Sequence, residues 1–134
     1  MDRIDELAQA LARLPGIGPR QATRFVFSLL KNGTAQEFSE TLKELEKIGF
    51  CGQCYRSIEK SDSSLCRVCT DKKRDQTIIA IVEKESDMQS IEKTGTYHGL
   101  YHVLGGVISP LDSESTKGLH LKELHERVKK LLEK

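Results

Sequence analysis

The sequence lacks the features that carry a chain to or across a membrane. No apolar run approaches the roughly 18 residues that a membrane-spanning helix requires. The N-terminal segment carries acidic residues, Asp2, Asp5 and Glu6, where a signal peptide would carry basic ones. We therefore expect a cytoplasmic protein that makes no membrane contact.

No long segment of the sequence could build a large hydrophobic core. Of the 134 residues, 37% are hydrophobic and 31% are charged, and the hydrophobic residues fall in short stretches without an internal repeat. Such a composition fits one modest domain or two very small ones, and small modules usually need a metal ion or disulfides for stability. Four cysteines are present. Because disulfides are rare in a reducing compartment, metal binding is the leading interpretation of these cysteines.

Acidic residues are absent between Glu6 and Glu37. The same stretch contains four basic residues: Arg13, Arg20, Arg24 and Lys31. The formal net charge of +1 therefore hides a segment in which the charge has one sign.

Two helices separated by a tight turn are predicted near the N-terminus. Apolar residues recur at helical spacing from Ile4 to Leu14, and the four residues from Pro15 to Gly18 suit a tight turn. Pro19 favours the opening of a second helix, and Asn32 with Gly33 favours its end. The apolar face of this second helix is predicted to hold Ala22, Phe25, Val26 and Leu29.

A third helix is predicted after Gly33. Thr34 and Glu37 have the spacing of a capping box, in which the hydroxyl accepts a hydrogen bond from the Glu37 amide and the carboxylate reaches back. The buried stripe of this helix would consist of Phe38, Leu42, Leu45 and Ile48.

The turn between the first two helices has the pattern of a helix-hairpin-helix element. Glycines such as Gly16 and Gly18 let the backbone approach a phosphate closely, and the amides at the start of the second helix point outward with the positive end of its dipole. Arg20 and Arg24 follow one helical turn apart, so both can reach one nucleic-acid backbone. The alternative is an ordinary packing hairpin with solvated arginines. The surrounding acid-free stretch favours phosphate binding.

The spacing of the cysteines is the most specific signal in the sequence. Cys51 and Cys54 are separated by two residues, as are Cys66 and Cys69, and 11 residues lie between the pairs. Two such knuckles brought together by a hairpin supply four sulfur ligands for a tetrahedral zinc ion, and four thiolates leave no open position for catalysis. We therefore expect one structural Zn2+; the alternative is four unrelated buried or redox cysteines.

The second half of the chain alternates strand and helix patterns. The stretch from Thr77 to Val82 is continuously apolar and β-branched, which predicts a strand covered on both faces. Ser86 is a candidate cap for a short helix with Met88 and Ile91, and residues 100–104 form a second predicted strand. The final predicted helix carries Leu121, Leu124, Val128 and Leu131. His98 and His102, beside Tyr97 and Tyr101, are interpreted as packing residues.

A group of acidic residues follows the first predicted strand. Glu83 comes directly after the strand, and Glu85, Asp87 and Glu92 come next. A carboxylate at the C-terminal end of a parallel strand lies where α/β folds place metal or catalytic groups. Alternatively, these acids are surface charges of a helix. The surface interpretation is favoured for Glu92, and both remain open for Glu83 and Asp87.

These segments, in this order, resemble the RecR family of bacterial recombination mediators along essentially the whole chain. The residues that carry the resemblance are the stretches 14–30, 81–95 and 101–112 and the four cysteines. The resemblance implies an α+β chain of three modules. These are a helix-hairpin-helix DNA-binding module over residues 1–49, a four-cysteine zinc-finger element over residues 50–72 and a C-terminally incomplete α/β Toprim domain over residues 77–134.

The resemblance also implies a function and a set of sites. It implies a homo-oligomer that binds single- and double-stranded DNA and works with RecO, and in some settings RecF, to load recombinase on single-stranded DNA during repair. The phosphate-binding hairpin corresponds to Gly16, Gly18 and Arg20, with Arg24 close behind. The zinc ligands correspond to Cys51, Cys54, Cys66 and Cys69. The Toprim glutamate corresponds to Glu83, and Asp87 falls at another acidic position of that motif.

The sequence departs from this family at its C-terminus. Members of the family continue for several more strands and helices, and the later acidic pair of the Toprim motif has no counterpart here. We therefore expect no enzymatic activity, and at least one open edge at the strand from Thr77 to Val82. Two alternatives remain, a magnesium-dependent Toprim nuclease or primase and a scaffold that binds no DNA.

Overall fold

The computed structural model describes residues 2–133, which divide into two compact units on either side of the boundary between Glu46 and Lys47. Helices make up the first unit, whereas the second combines helices with two small sheets. This content confirms the predicted α+β class. Every helix found within residues 2–133 is too short or too polar to span a membrane.

Three helices form the first unit: α1 (Arg3–Ala12), α2 (Pro19–Asn32) and α3 (Ala35–Lys43). The Asp2 carboxylate caps α1 by accepting a hydrogen bond from the Asp5 amide at 2.8 Å. Pro19 opens α2 and Gly33 ends it in the left-handed conformation, so both predicted ends of this helix are confirmed. Ala22 and Val26 are its buried residues.

The third helix differs from its prediction in three respects. It ends at Lys43, short of two residues of the predicted stripe, and a 3-10 turn follows over Glu44–Lys47. Thr34 precedes α3 but its side chain makes no capping hydrogen bond. Phe38, Leu42 and Leu45 are exposed rather than buried. The apolar stripe of a helix is buried only when another element packs against it. A three-helix unit of this size leaves some apolar helix faces partly uncovered.

The second unit contains two two-stranded sheets. Strands β1 (Ile48–Phe50) and β2 (Ser57–Glu59) form an antiparallel hairpin, and the short helix α4 (Arg67–Thr70) follows. Strands β3 (Asp75–Val82) and β4 (Gly99–Val103) pair in parallel, joined through helix α5 (Glu85–Lys93). A 3-10 turn over Ser113–Thr116 and helix α6 (Leu121–Leu132) complete the unit.

One core joins the cysteine segment to the parallel sheet. All five residues of β4 are buried. Its members Leu100, Tyr101 and Val103 cluster with the four cysteines, Val68, Val82 and Met88. The Val103 amide also donates to the Cys54 carbonyl at 2.8 Å. The cysteine segment therefore covers the side of β4 that β3 leaves unpaired.

The first predicted strand of this sheet is less covered than expected. Ile78 is 51% exposed and Ile81 is 55% exposed, so the prediction of a strand buried on both faces is wrong. In the part of the chain that the structure describes, β3 pairs with β4 alone. A strand with one paired edge and few covering helices keeps much of its apolar surface in water. The cap of α5 also differs, because Lys84 precedes the helix and Ser86 lies inside it.

Candidate metal centre and nucleic-acid interface

The four cysteines of the second unit converge on one point. Their Sγ atoms all lie within 4.8 Å of one another, and all four residues are buried. The Sγ atoms of Cys51 and Cys69 are 3.8 Å apart, and those of Cys54 and Cys66 are 3.6 Å apart. Sulfurs in a disulfide lie about 2.05 Å apart, so these thiols are free. Within residues 2–133, they form the one group of three or more potential metal ligands.

Two short knuckles present these sulfur atoms. Cys51 and Cys54 lie in the turn between β1 and β2, where the Cys51 amide donates to the Arg56 carbonyl at 2.8 Å. Tyr55 completes this turn in the left-handed region with φ of 66°, which a bulky residue adopts only under local constraint. Cys66 caps α4, and its Sγ accepts a hydrogen bond from the Cys69 amide at 3.4 Å. One turn of helix thus fixes the second pair.

The cluster is arranged to hold negative charge on sulfur. Two sulfur atoms accept hydrogen bonds from backbone amides. The Cys66 amide donates to Cys51 Sγ at 3.3 Å, and the Cys69 amide donates to Cys66 Sγ. The contact with Cys66 raises the pKa of the Cys54 thiol to about 12, and the contact with Cys54 holds the pKa of Cys66 below its ordinary value. Contact with Cys54 likewise raises the pKa of Cys69. Without a cation, one thiolate is thus stabilised at the expense of its neighbours, whereas a bound dication would stabilise all four thiolates together.

These distances fit a tetrahedral metal site. A Zn–S bond of about 2.3 Å places the sulfurs of a tetrahedral site roughly 3.8 Å apart. The two close sulfur pairs, at 3.8 Å and 3.6 Å, match that separation. The four cysteines can therefore bind one metal ion. Because four protein ligands complete a tetrahedron, an ion bound there has no position left for a substrate.

The turn between α1 and α2 presents uncovered backbone. Gly16 has φ of 80°, in the left-handed region that favours glycine, and Gly18 precedes α2. A Cβ atom added to either glycine would meet nothing within 4 Å. The Ile17 amide closes the turn by donating to the Leu14 carbonyl at 3.2 Å. The backbone of this turn can therefore be approached closely by a ligand.

Arg20 and Arg24 extend this surface along α2. They lie four positions apart on one helix, and both are exposed. The first turn of α2 contains no acidic residue, and its amides lack partners within the helix. The positive end of the helix dipole adds to the charge of the two guanidinium groups. The four residues predicted to bind a phosphate thus lie in the turn before α2 and along the exposed side of that helix.

Glu83 and Asp87 lie close in sequence but form no metal-binding group. Glu83 follows β3 with an exposed side chain. Asp87 Oδ2 accepts a hydrogen bond from the Lys84 amide at 3.2 Å, so this carboxylate caps α5. Among the residues that the structure describes, neither acid joins a set of three or more metal-ligating side chains.

The other two acids of this segment make internal hydrogen bonds. The Glu85 carboxylate accepts from the Ser57 amide at 3.0 Å and from its hydroxyl at 2.7 Å, which links α5 to β2. Glu92 accepts from the Arg74 guanidinium and from Tyr101 Oη. Glu92 is thus a charge on the surface of α5, 31% exposed, that is paired with Arg74.

A network that no sequence pattern predicted links α6 to the cysteine knuckle. Arg127 Nη1 donates to the Tyr101 carbonyl at 2.5 Å and to the Gln53 carbonyl at 3.3 Å. The ring of Tyr55 stacks on that of His120 with 4.1 Å between centroids and 15° between planes. Because 74 positions separate Arg127 from Gln53, no local signal could have indicated the pair.

Comparison with known proteins assigns both units. Residues 4–45 match the model for the RecR helix-hairpin-helix, and residues 77–131 match a Toprim domain model. The chain is 43% identical over 128 residues to "Recombination protein RecR" of Cutibacterium acnes and 44% identical over 128 residues to that of Brachyspira hyodysenteriae. The chain belongs to the RecR family.

The chain spans about 62% of the length of these two relatives, and the aligned segments include 93% of the chain itself. A third RecR protein, from Rubrobacter xylanophilus, is 41% identical over 129 residues, which make up 94% of this chain and 63% of the relative. The resemblance stated from the hairpin, the cysteines and the Toprim segments is thereby confirmed.

Proposed function

We propose that this chain binds DNA through its phosphate backbone and acts as a recombination mediator in DNA repair. The observation that carries the proposal is the open glycine turn followed by Arg20 and Arg24, in a chain of the RecR family. Backbone amides and two exposed guanidinium groups bind phosphates without reading bases. Binding should therefore depend strongly on salt and weakly on sequence.

The proposal extends to partners and location. The chain functions in the cytoplasm as a homo-oligomer that binds single- and double-stranded DNA. It works with RecO, and in some settings RecF, to load recombinase on single-stranded DNA. The names of the relatives support a role in recombination. Four free thiols in one cluster also suit a reducing compartment.

The metal in the cysteine cluster is proposed to be one structural Zn2+. Four buried sulfur ligands within 4.8 Å of one another favour a soft-ligand metal that needs no open position. A bound ion would hold Cys51 and Cys54 against α4. The hydrogen bond from the Val103 amide to the Cys54 carbonyl would connect this site to β4. The ion would thus support the domain without taking part in chemistry.

The Toprim acids are proposed to be non-catalytic. Magnesium-dependent phosphoryl transfer needs several carboxylates around the ions. Asp87 is occupied as a helix cap, and Glu85 and Glu92 are bonded to Ser57 and Arg74. Glu83 alone cannot assemble such a site. Glu83 and Asp87 are instead assigned to packing or partner contact.

The test is a salt series of DNA binding with the arginines removed. The double variant Arg20→Ala/Arg24→Ala should weaken binding to all sequences alike and lower the slope of log K against log salt by about 2 on duplex DNA, about 1 for each phosphate contact. A matched control, Arg3→Ala/Lys43→Ala, removes two exposed charges from other helices of the same unit. It should change the slope much less.

Two outcomes would contradict the proposal. If the hairpin variant and the control bind DNA with the same affinity and slope, the phosphate site lies elsewhere. If the unaltered chain binds DNA weakly and without salt dependence, the scaffold alternative is favoured.

A further inference from the structure

The second unit contains a cavity of about 420 Å3 beside α4 and α5. Four cationic side chains and two carboxylates line it, and we call it the basic groove: Arg56, Arg67, Arg74, Lys93, Asp71 and Glu92. Its floor includes Val68 and Met88, which are 8% and 1% exposed. The groove therefore offers positive charge to a ligand above an apolar floor.

Arg74 contacts both carboxylates of the basic groove. Arg74 Nη2 donates to Glu92 Oε2 at 2.6 Å, and Arg74 Nε lies 3.9 Å from Asp71 Oδ2. Tyr101 Oη adds a further hydrogen bond to Glu92 at 2.6 Å, and the Lys73 amide donates to Asp71 Oδ1 at 2.9 Å. These acids are thus poorly available to the other cations.

Three cations of the groove remain without a close hydrogen-bonded carboxylate. Arg67 and Lys93 are exposed, and neither forms an ion pair with another residue of the range 2–133. Arg56 has its closest acidic contact with Glu85 Oε1, 3.9 Å from its Nε, and that carboxylate is already bonded to Ser57. The charges of Arg67 and Lys93 are therefore available to an anion in solution, whereas that of Arg56 is shared with Glu85.

We infer that the basic groove is a second binding site for the phosphodiester backbone of nucleic acid, separate from the hairpin. This inference rests on the proposed DNA-binding function. Arginine presents a planar fork of donors that matches phosphate oxygens, and Arg56, Arg67 and Lys93 all line the groove. An acidic peptide would gain the same charge contacts, so the test includes poly-glutamate as the competing ligand.

The test removes the two exposed cations of the groove from the full chain. Arg67→Gln/Lys93→Gln should lower the slope of log K against log salt on single-stranded DNA by about 1.4, since each phosphate contact on a single strand contributes about 0.7. The control Lys60→Gln/Lys129→Gln removes the same charge from exposed positions outside the groove and should leave the slope nearly unchanged. Circular dichroism verifies that both variants are folded.

The outcomes separate this inference from the hairpin proposal. Equal slopes for the groove variant and its control would overturn the inference. Binding of poly-glutamate is measured with the same variants, and a groove variant that loses poly-glutamate binding but keeps its DNA binding would also overturn it. A slope that falls in the groove variant but not in Arg20→Ala/Arg24→Ala would support the groove and contradict the hairpin. Absence of DNA binding by the unaltered chain would overturn both.

Discussion

The ion pair between Arg74 and Glu92 allows a quantitative test of how the second unit is stabilised. Arg74 Nη1 and Nη2 donate to the two carboxylate oxygens of Glu92 at 3.1 Å and 2.6 Å. Nη1 also donates to the Gly99 carbonyl at 3.0 Å. One side chain thus connects the segment after the cysteines to α5 and to the start of β4.

We expect Arg74→Gln to lower the free energy of unfolding by about 2 kcal/mol at pH 7. A hydrogen bond to a charged group contributes about 1.5–3 kcal/mol when buried, whereas an exposed ion pair contributes about 0.2–1 kcal/mol. The side chains of Arg74 and Glu92 are 16% and 31% exposed, so the pair lies between these limits. The Tyr101 hydroxyl remains as a partner of Glu92, which limits the loss.

The loss should depend on pH in a defined direction. The hydrogen bond from Arg74 holds the pKa of Glu92 below its ordinary value of 4.5. A depressed carboxyl pKa stabilises the folded state above the unfolded-state value, and that stabilisation disappears as the pH falls through the folded-state value. The difference between Arg74→Gln and the unaltered chain should therefore shrink below about pH 4.

Urea unfolding followed by tyrosine fluorescence would measure this effect. The chain has three tyrosines and no tryptophan, and Tyr55, Tyr97 and Tyr101 all belong to the second unit. The signal therefore reports on that unit alone. The control is Lys73→Gln, which neutralises an exposed neighbour. Equal unfolding midpoints for the variant and the control would refute the reasoning, and a loss that persisted at low pH would assign it to packing rather than to charge.

Three further predictions concern the metal, the acids and the sheet edge. Metal analysis should find one equivalent of zinc per chain. Cys54→Ser/Cys66→Ser should lose the metal, and tyrosine fluorescence should show that the second unit is unfolded, because the cysteine sulfurs belong to its core. A folded, metal-free variant would contradict this. In magnesium, neither the unaltered chain nor Glu83→Gln should cleave DNA or add nucleotides. An activity of the unaltered chain that this substitution abolishes would restore the enzyme alternative. Ile78→Lys/Ile81→Lys should reduce concentration-dependent association in sedimentation velocity, because both side chains are exposed on β3, and association equal to that of the unaltered chain would assign contact to another surface.

Local spacing in the sequence determined much of this protein. The two-residue gaps between Cys51 and Cys54 and between Cys66 and Cys69 predicted that four sulfurs meet, because a knuckle turns within a few residues. Pro19 and Gly33 marked the ends of α2 for an equally local reason, since they fix or permit particular backbone angles. The acid-free stretch around Arg20 and Arg24 was also visible without a fold.

Tertiary structure alone decided burial and long-range partners. Periodicity predicted a buried stripe in α3, and a continuous apolar run predicted a covered strand at β3. Burial depends on what packs against a face, and these faces are partly exposed. Only the folded chain places Arg74, 18 positions away, beside Glu92. Arg127 meets Gln53 across 74 positions. Such pairs arise from the path of the whole chain, which local propensities do not specify.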